Sequence, residues 1–304
     1  MNTVKLKAWI NLSRPPFHTV GIFPFILGAV LAWHLAGRLD WAVLGWGTLA
    51  AVFIMLAAYY SGEYFDYETD TLSAQLERNR FSGGAQVLQT GIIRRGQAFI
   101  AALVCLLLAG AVGLLLQFYY KTGPYTIPLG ALGMFAGFFY TTKPIQWAYR
   151  GVGEIWIGFC YGWLPVAASC YIQTGQIPPL VHWLALPIAL TIFNVILINE
   201  FPDYLADKEV GKRNLVVRFG REKMSKLYAL ANFGTWLLYL FSLRAGVPLK
   251  AFLFFCPFFL LSLLTTLQVL RGDYKERRKL EGICARTLIF NLGTTLNLIL
   301  AFIL

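Results

Sequence analysis

Long apolar runs set the first limit on what this chain can fold into. From about residue 17 to Leu304 they recur, each near the ~20 residues that a helix needs to cross a bilayer. Where such a chain meets lipid, its backbone polar groups must be satisfied inside helices or a closed barrel. The composition agrees: of 304 residues, 58% are hydrophobic and 13% charged, and the mean hydropathy is +0.60. That excludes a soluble enzyme and a disordered chain. Breaks at proline, glycine and charge predict an all-α fold, one polytopic domain over 1–304. Its nine transmembrane helices fall near 17–36, 41–67, 96–120, 124–141, 151–173, 178–205, 222–243, 248–270 and 280–304.

The connections are unequal. Short ones alternate with longer polar ones at 68–95, 142–150, 206–221 and 271–279, and all but four of the 26 Lys and Arg residues fall with the N-terminus or on the long-loop side. The four are Arg38, Lys121, Arg244 and Lys250. The positive-inside rule then puts the N-terminus and long loops in the cytoplasm of a cell-membrane protein. The formal charge of +11 is explained by these helix-end bases, Arg277, Arg278 and Lys279 among them, and no nucleic-acid partner is expected. The N-terminus has no signal-peptide core or cleavage site, so the first helix should be retained. Cys105, Cys160, Cys170, Cys256 and Cys284 show no metal-type spacing and read as small buried hydrophobes.

An internal repeat points to chemistry. Residues 62–70 read GEYFDYETD and residues 199–207 read NEFPDYLAD, each at the cytoplasmic end of a long helix, the second and the sixth. This suggests two related halves meeting at one site. Positions three and four apart share a helix face, so Glu63, Asp66 and Asp70 form one acidic stripe and Glu200, Asp203 and Asp207 another, with Asn199 beside Asp203. Carboxylates this near a membrane core are costly and usually functional. Magnesium suits them, because it takes oxygen ligands and commonly bridges one or two carboxylates to substrate phosphates. The plainer alternative is that solvated acids balance nearby bases; two matched copies at matching helix ends favour the ligand reading.

The segments that follow are suited to an anion. ERNRFSGGAQ offers Arg80 and a Gly83-Gly84 backbone, and KEVGKRNLVVRFG offers Lys212, Arg213 and Arg218; Lys143 and Arg14 stand at cytoplasmic helix ends that could face the same cavity. Acids for magnesium, bases for phosphate and an aromatic membrane wall imply a lipid diphosphate substrate. Metal and lysine would draw off the diphosphate, and π faces would shelter the allylic cation. Candidate faces are Tyr60, Tyr64, Phe139, Tyr140, Trp156, Phe159 and Tyr161. Glu154 is expected to pair with Arg150, four residues earlier. Gly133/Gly137 and Gly158/Gly162 have the spacing of close helix contacts, within the chain or between copies.

At these residues the chain resembles the UbiA superfamily of intramembrane prenyltransferases, over nearly its whole length. RPPF, NRFSGGAQVL, YTTKP, GVGEIWIGFCYGW and ADKEVGKRNLVVRFG look most like its 1,4-dihydroxy-2-naphthoate polyprenyltransferases. The resemblance implies nine helices around a central cavity with a lateral opening to membrane lipid, and two magnesium ions held between the acidic motifs and the diphosphate. Carried over, Asp66, Asp70, Asp203 and Asp207, with Glu63, are metal ligands, Asn199 and Glu200 support them, and Lys143, Lys212, Arg80 and Arg14 contact the diphosphate. Tyr140 and Arg213 complete the expected substrate contacts. The sequence departs from the pattern at Gly62, where the family often has Asn, and at Glu63, where it often has Asp. The implied reaction alkylates an electron-rich aromatic acceptor with a polyprenyl cation, with loss of carbon dioxide for a naphthoate. Alternatives are another acceptor within the superfamily, such as geranylgeranylglyceryl phosphate or another quinone precursor, and a membrane transporter.

Overall fold

A computed structural model describes residues 3–76 and 78–304, and all regular structure among them is helical. A short α1 (Thr3–Leu12) leads through Arg14, in the left-handed region, into α2 (Pro15–Ala36), whose first turn carries two prolines where no backbone donor is required. Asp40 caps α3 (Trp41–Phe65) by accepting from the N–H groups of Ala42 and Val43. The helix breaks at Asp66, and α4 (Tyr67–Gln75) sets off from there. Next come α5 (Arg95–Leu114), extended by a π turn to Tyr119, and α6 (Thr126–Phe138). α7 (Gly153–Gly158) and α8 (Leu164–Thr174) form one span through a second π turn. α9 (Pro179–Glu209), α10 (Leu215–Ser242), α11 (Lys250–Arg271) and α12 (Arg277–Ile303) complete the bundle.

Seven of the described spans are long and apolar enough to cross a membrane. The other two expected helices differ in kind. α6 has 13 residues, about 20 Å of helix at 1.5 Å per residue. α10 is kinked at Gly220 (φ 80°), and the turns that follow the kink carry Arg221, Glu222, Lys223 and Lys226 before its apolar remainder. The structure also moves two boundaries. The second helix ends at Phe65 rather than 67, so the break at Asp66 takes Glu63 off the face that carries Asp70. The sixth continues to Glu209 rather than 205, so Asp207 stands within the same helix as Asp203.

Packing places the site. α3 lies along α5, α2 along α8, and α9 along α10 and α12. Two approaches need glycine: a Cβ on Gly28 would stand 2.3 Å from the carbonyl oxygen of Val166, and one on Gly162 would stand 2.5 Å from the Cα of Ala189. The Gly158/Gly162 pair therefore serves contact within the chain, as does Gly133/Gly137, which faces Ile54 and, at Gly137, Ala58 of α3. Buried amides tie the second half together: Asn194 donates to Asn232, and Asn232 to Thr266, across α9, α10 and α11. Three cysteines are buried as expected, whereas Cys160 is half-buried and Cys256 is exposed on α11.

Candidate active site

The ends of α3 and α9 carry the two acidic motifs to the wall of one cavity of about 500 Å³. Asp66, Asp70, Asp203 and Asp207 all line it, together with Asn199, Glu200, Lys212, Arg14 and Tyr140. Residues more than 130 positions apart in sequence are thus joined at a single site.

Each aspartate has a distinct setting. Asp66 accepts a hydrogen bond from the Tyr149 hydroxyl at 2.7 Å. Asp70 is buried directly beneath Gly84 (φ +66°), where an added Cβ would come within 2.0 Å of Oδ2, so only glycine fits. Asp203 accepts from the backbone N–H of Gly83 at 3.0 Å and from the Ser73 hydroxyl. Asp207 accepts from the Asn214 amide at 2.7 Å and stands 3.4 Å from the Lys212 ammonium. The glycine segment was expected to offer its amides to phosphate. Instead Gly83 gives its N–H to Asp203, and Ala85 gives its own to Glu63 at 2.7 Å, folding residues 78–86 over the acids.

The electrostatics follow. Burial, then the neighbouring charges of Asp66 and Glu63, raise the Asp70 carboxyl well above the ordinary carboxylate range, against the pull of Arg14 and Lys212. For Lys212 burial favours the neutral amine, but Asp207 and Asp66 outweigh it and hold the ammonium charged. Burial and the adjacent Asp66 carboxylate keep the Tyr149 hydroxyl protonated, as a donor.

Several expectations are corrected. Glu63 does not line the cavity: its Oε1 takes the Arg14 guanidinium in an ion pair, so the longer acid anchors a base instead of facing the site. Arg80 reaches the cavity rim but its guanidinium pairs with Glu281, and that side chain is 82% exposed. Lys143 is exposed and outside the lining, because the turn closes through Gln146 N–H to the Thr142 carbonyl and leaves Lys143 at its tip. Replacing Lys143 with Ala is therefore expected to keep kcat/KM within about twofold of the parent, measured by steady-state transfer. Arg213 is exposed as well, off the lining. Glu154 is fully buried and accepts from the Leu215 N–H at 2.6 Å, capping the start of α10, while Arg150 turns to the Ile145 and Pro144 carbonyls. Glu154 and Arg150 are thus held apart by separate backbone partners.

Of the candidate aromatic faces, Tyr140, Trp156 and Tyr161 line the cavity. Tyr60 packs on Trp9, Tyr64 on Phe99, Phe139 on Phe135 and Phe159 on Trp163. Sequence reasoning missed Arg78, Tyr59 and Phe17, all in the lining, and Tyr149. Arg78 stands two residues before Arg80, and only the fold says which of the two turns inward.

The donor set suits a hard cation. All four aspartates offer oxygen, and the buried Asn199 Oδ1 and Glu200 Oε2 have no hydrogen-bond partner. Among the described residues no three His, Cys, Asp or Glu side chains converge as a ready-made metal site. Oxygen donors of this kind suit magnesium, which accepts one or two protein carboxylates and completes its shell with water and phosphate oxygens.

Comparison with known proteins agrees with this geometry. Residues 22–282 match the model of the UbiA prenyltransferase family. UbiA prenyltransferase domain-containing protein 1 of Dictyostelium discoideum is 24% identical over 286 residues, covering 93% of this chain and 83% of that protein. The 1,4-dihydroxy-2-naphthoate octaprenyltransferase of Bacillus subtilis is 26% identical over 235 residues, covering 72% and 68%. A UbiA homologue from Archaeoglobus fulgidus, solved bound to GPP and Mg2+, shares the fold with a TM-score of 0.67 at 16% identity, over 96% of this chain and 99% of that one. With both acidic motifs on one cavity inside an all-helical membrane bundle, the chain belongs to the UbiA prenyltransferase family and is itself a prenyltransferase.

Proposed function

We propose that this enzyme transfers a polyprenyl group from a polyprenyl diphosphate to an aromatic acceptor of the 1,4-dihydroxy-2-naphthoate type, with magnesium required. The observation that carries the reading is that four aspartates, Lys212 and an aromatic wall share one cavity. The acceptor class rests on the likeness to naphthoate octaprenyltransferases.

Asp66, Asp70, Asp203 and Asp207 would hold magnesium, which when bound neutralises diphosphate charge. Arg14, held in place by Glu63, and Arg78 at the rim bind diphosphate oxygens. Lys212, kept charged by Asp207 and Asp66, stabilises the negative charge that grows on the leaving oxygen as the C1–O bond breaks. The electron pair of that bond leaves with diphosphate. Tyr140, Trp156 and Tyr161 present π faces to the allylic cation and keep water from it. A ring carbon of the acceptor then bonds to C1, and in the naphthoate case carbon dioxide departs from the same carbon and restores the aromatic ring. The acidic end of the bundle is assigned to the cytoplasm, on the basis of the charge bias.

The test is direct. Protein purified in detergent, given 1,4-dihydroxy-2-naphthoate and labelled geranylgeranyl diphosphate, is expected to form prenylated naphthoquinol with magnesium and none after EDTA treatment. Diphosphate release without naphthoate product would overturn the acceptor, and turnover unaffected by EDTA would overturn the metal.

A further inference from the structure

Of the acids that line the catalytic cavity among the described residues, Glu200 alone has no part in the steps above. Its side chain is buried, the residue only 7% exposed, and its Oε2 has no hydrogen-bond partner. A carboxylate kept dry with a bare oxygen is costly unless a ligand supplies the missing donor. Its level on α9 also sets it apart from the aspartates. Ile192, Val195 and Ile196 line the apolar stretch of this helix, and Asp203 and Asp207 its charged end. Glu200 stands between them, about 6 Å along the axis from Ile196 and about 4.5 Å from Asp203 at 1.5 Å per residue. A prenyl diphosphate held by the aspartates gives way from phosphate to carbon at this level.

The neighbours of Glu200 make a corner suited to a flat ring. Glu154, fully buried and off the lining, stands behind it within hydrogen-bonding reach, and is itself fixed by the Leu215 N–H at 2.6 Å. Tyr140 is pressed against the backbone at the start of α7, where a Cβ on Gly153 would stand 3.0 Å from its ring. Trp156 follows about one turn along α7, and both rings line the cavity. Aromatic faces beside a single polar anchor are the usual means of orienting a small planar ligand.

We propose that Glu200 seats the aromatic acceptor, its Oε2 accepting a hydrogen bond from the ring hydroxyl that has no carboxylate beside it, the 4-hydroxyl of 1,4-dihydroxy-2-naphthoate. The proposal rests on the naphthoate reading of the acceptor. The 1-hydroxyl of that molecule bonds internally to the adjacent carboxylate, which leaves the 4-hydroxyl as the free donor. Like charge turns the acceptor's own carboxylate away from Glu200. The ring therefore enters one way round, against Tyr140 and Trp156, and Glu200 fixes which ring carbon meets C1 of the donor.

1-Hydroxy-2-naphthoate, which lacks only the 4-hydroxyl, probes this seat in the parent protein, whatever the stability of a variant. Anaerobic isothermal titration in detergent is expected to show 1,4-dihydroxy-2-naphthoate binding about tenfold or more tighter than 1-hydroxy-2-naphthoate, since a hydrogen bond to a charged group is lost. In Glu200→Met, which keeps an unbranched stem of similar length, the two should bind within about twofold of each other. The dissociation constant of geranylgeranyl diphosphate with magnesium should stay within about twofold of the parent's in the same variant. Equal binding of the two naphthoates by the parent, or an undiminished preference in the variant, would overturn the proposal. A variant that weakens the donor and magnesium while keeping the naphthoate preference would assign Glu200 to the metal instead. Should the parent bind neither naphthoate, the acceptor reading itself fails, and this proposal with it.

Discussion

Asp66→Asn enzyme, assayed at saturating donor and magnesium, is expected to lose about 10²–10³ in kcat, the equivalent of roughly 3–4 kcal/mol of transition-state stabilisation. The substitution isolates charge from structure. Asn keeps an oxygen to accept the Tyr149 hydroxyl, so the turn between α3 and α4 should hold and the thermal unfolding midpoint should move little. The Asp66 carboxylate is held by fewer groups than those of Asp203 and Asp207, because Tyr149 is its one hydrogen-bonding side chain among the described contacts, whereas Asp203 and Asp207 each bond two groups. Activity within tenfold of the parent, with or without excess magnesium, would remove Asp66 from the metal site.

Lys212→Met should be nearly as damaging, by another route. The Lys212 side chain is 15% exposed, and its ammonium stands 3.4 Å from Asp207 and 5.7 Å from the centre of the Tyr149 ring. Its loss withdraws the cation proposed to stabilise the leaving oxygen, an expected change of about 3 kcal/mol or 10² in kcat. It also leaves Asp207 buried without its counter-charge, which commonly costs about 3–5 kcal/mol of stability. Kinetics and thermal unfolding should therefore both change. Lys212→Arg, which keeps the charge, should recover stability ahead of turnover. A variant with normal kcat and a lowered midpoint would make Lys212 a purely structural partner of Asp207.

The acidic motifs were legible because their pattern is local. Asp66 with Asp70, and Asp203 with Asp207, are each four apart, and the spacing alone brings such residues to one side of a helical segment. The apolar segments were legible for the same reason. What escaped the sequence depends on long-range pairing. Glu63 looks like a fifth ligand until Arg14, 49 residues before it, is found on its carboxylate. Arg80 looks like a phosphate contact until Glu281, 201 residues on, takes its guanidinium. Lys143 and Tyr149 lie on one short connection, and the turn between them decides that the tyrosine reaches Asp66 while the lysine meets solvent. The expected Arg150–Glu154 pair fails because a buried carboxylate at a helix start finds a stronger partner in backbone N–H groups than in a flexible exposed cation.

The contact between Gly84 and Asp70 bears on how this protein can change over generations. A catalytic acid can trade roles with a similar acid nearby, but the backbone of Gly84 rests where no side chain of any kind can stand. Drift at that position is closed to single substitutions unless Asp70 moves first. The historical order of change at this site is therefore constrained by a residue that carries no functional group.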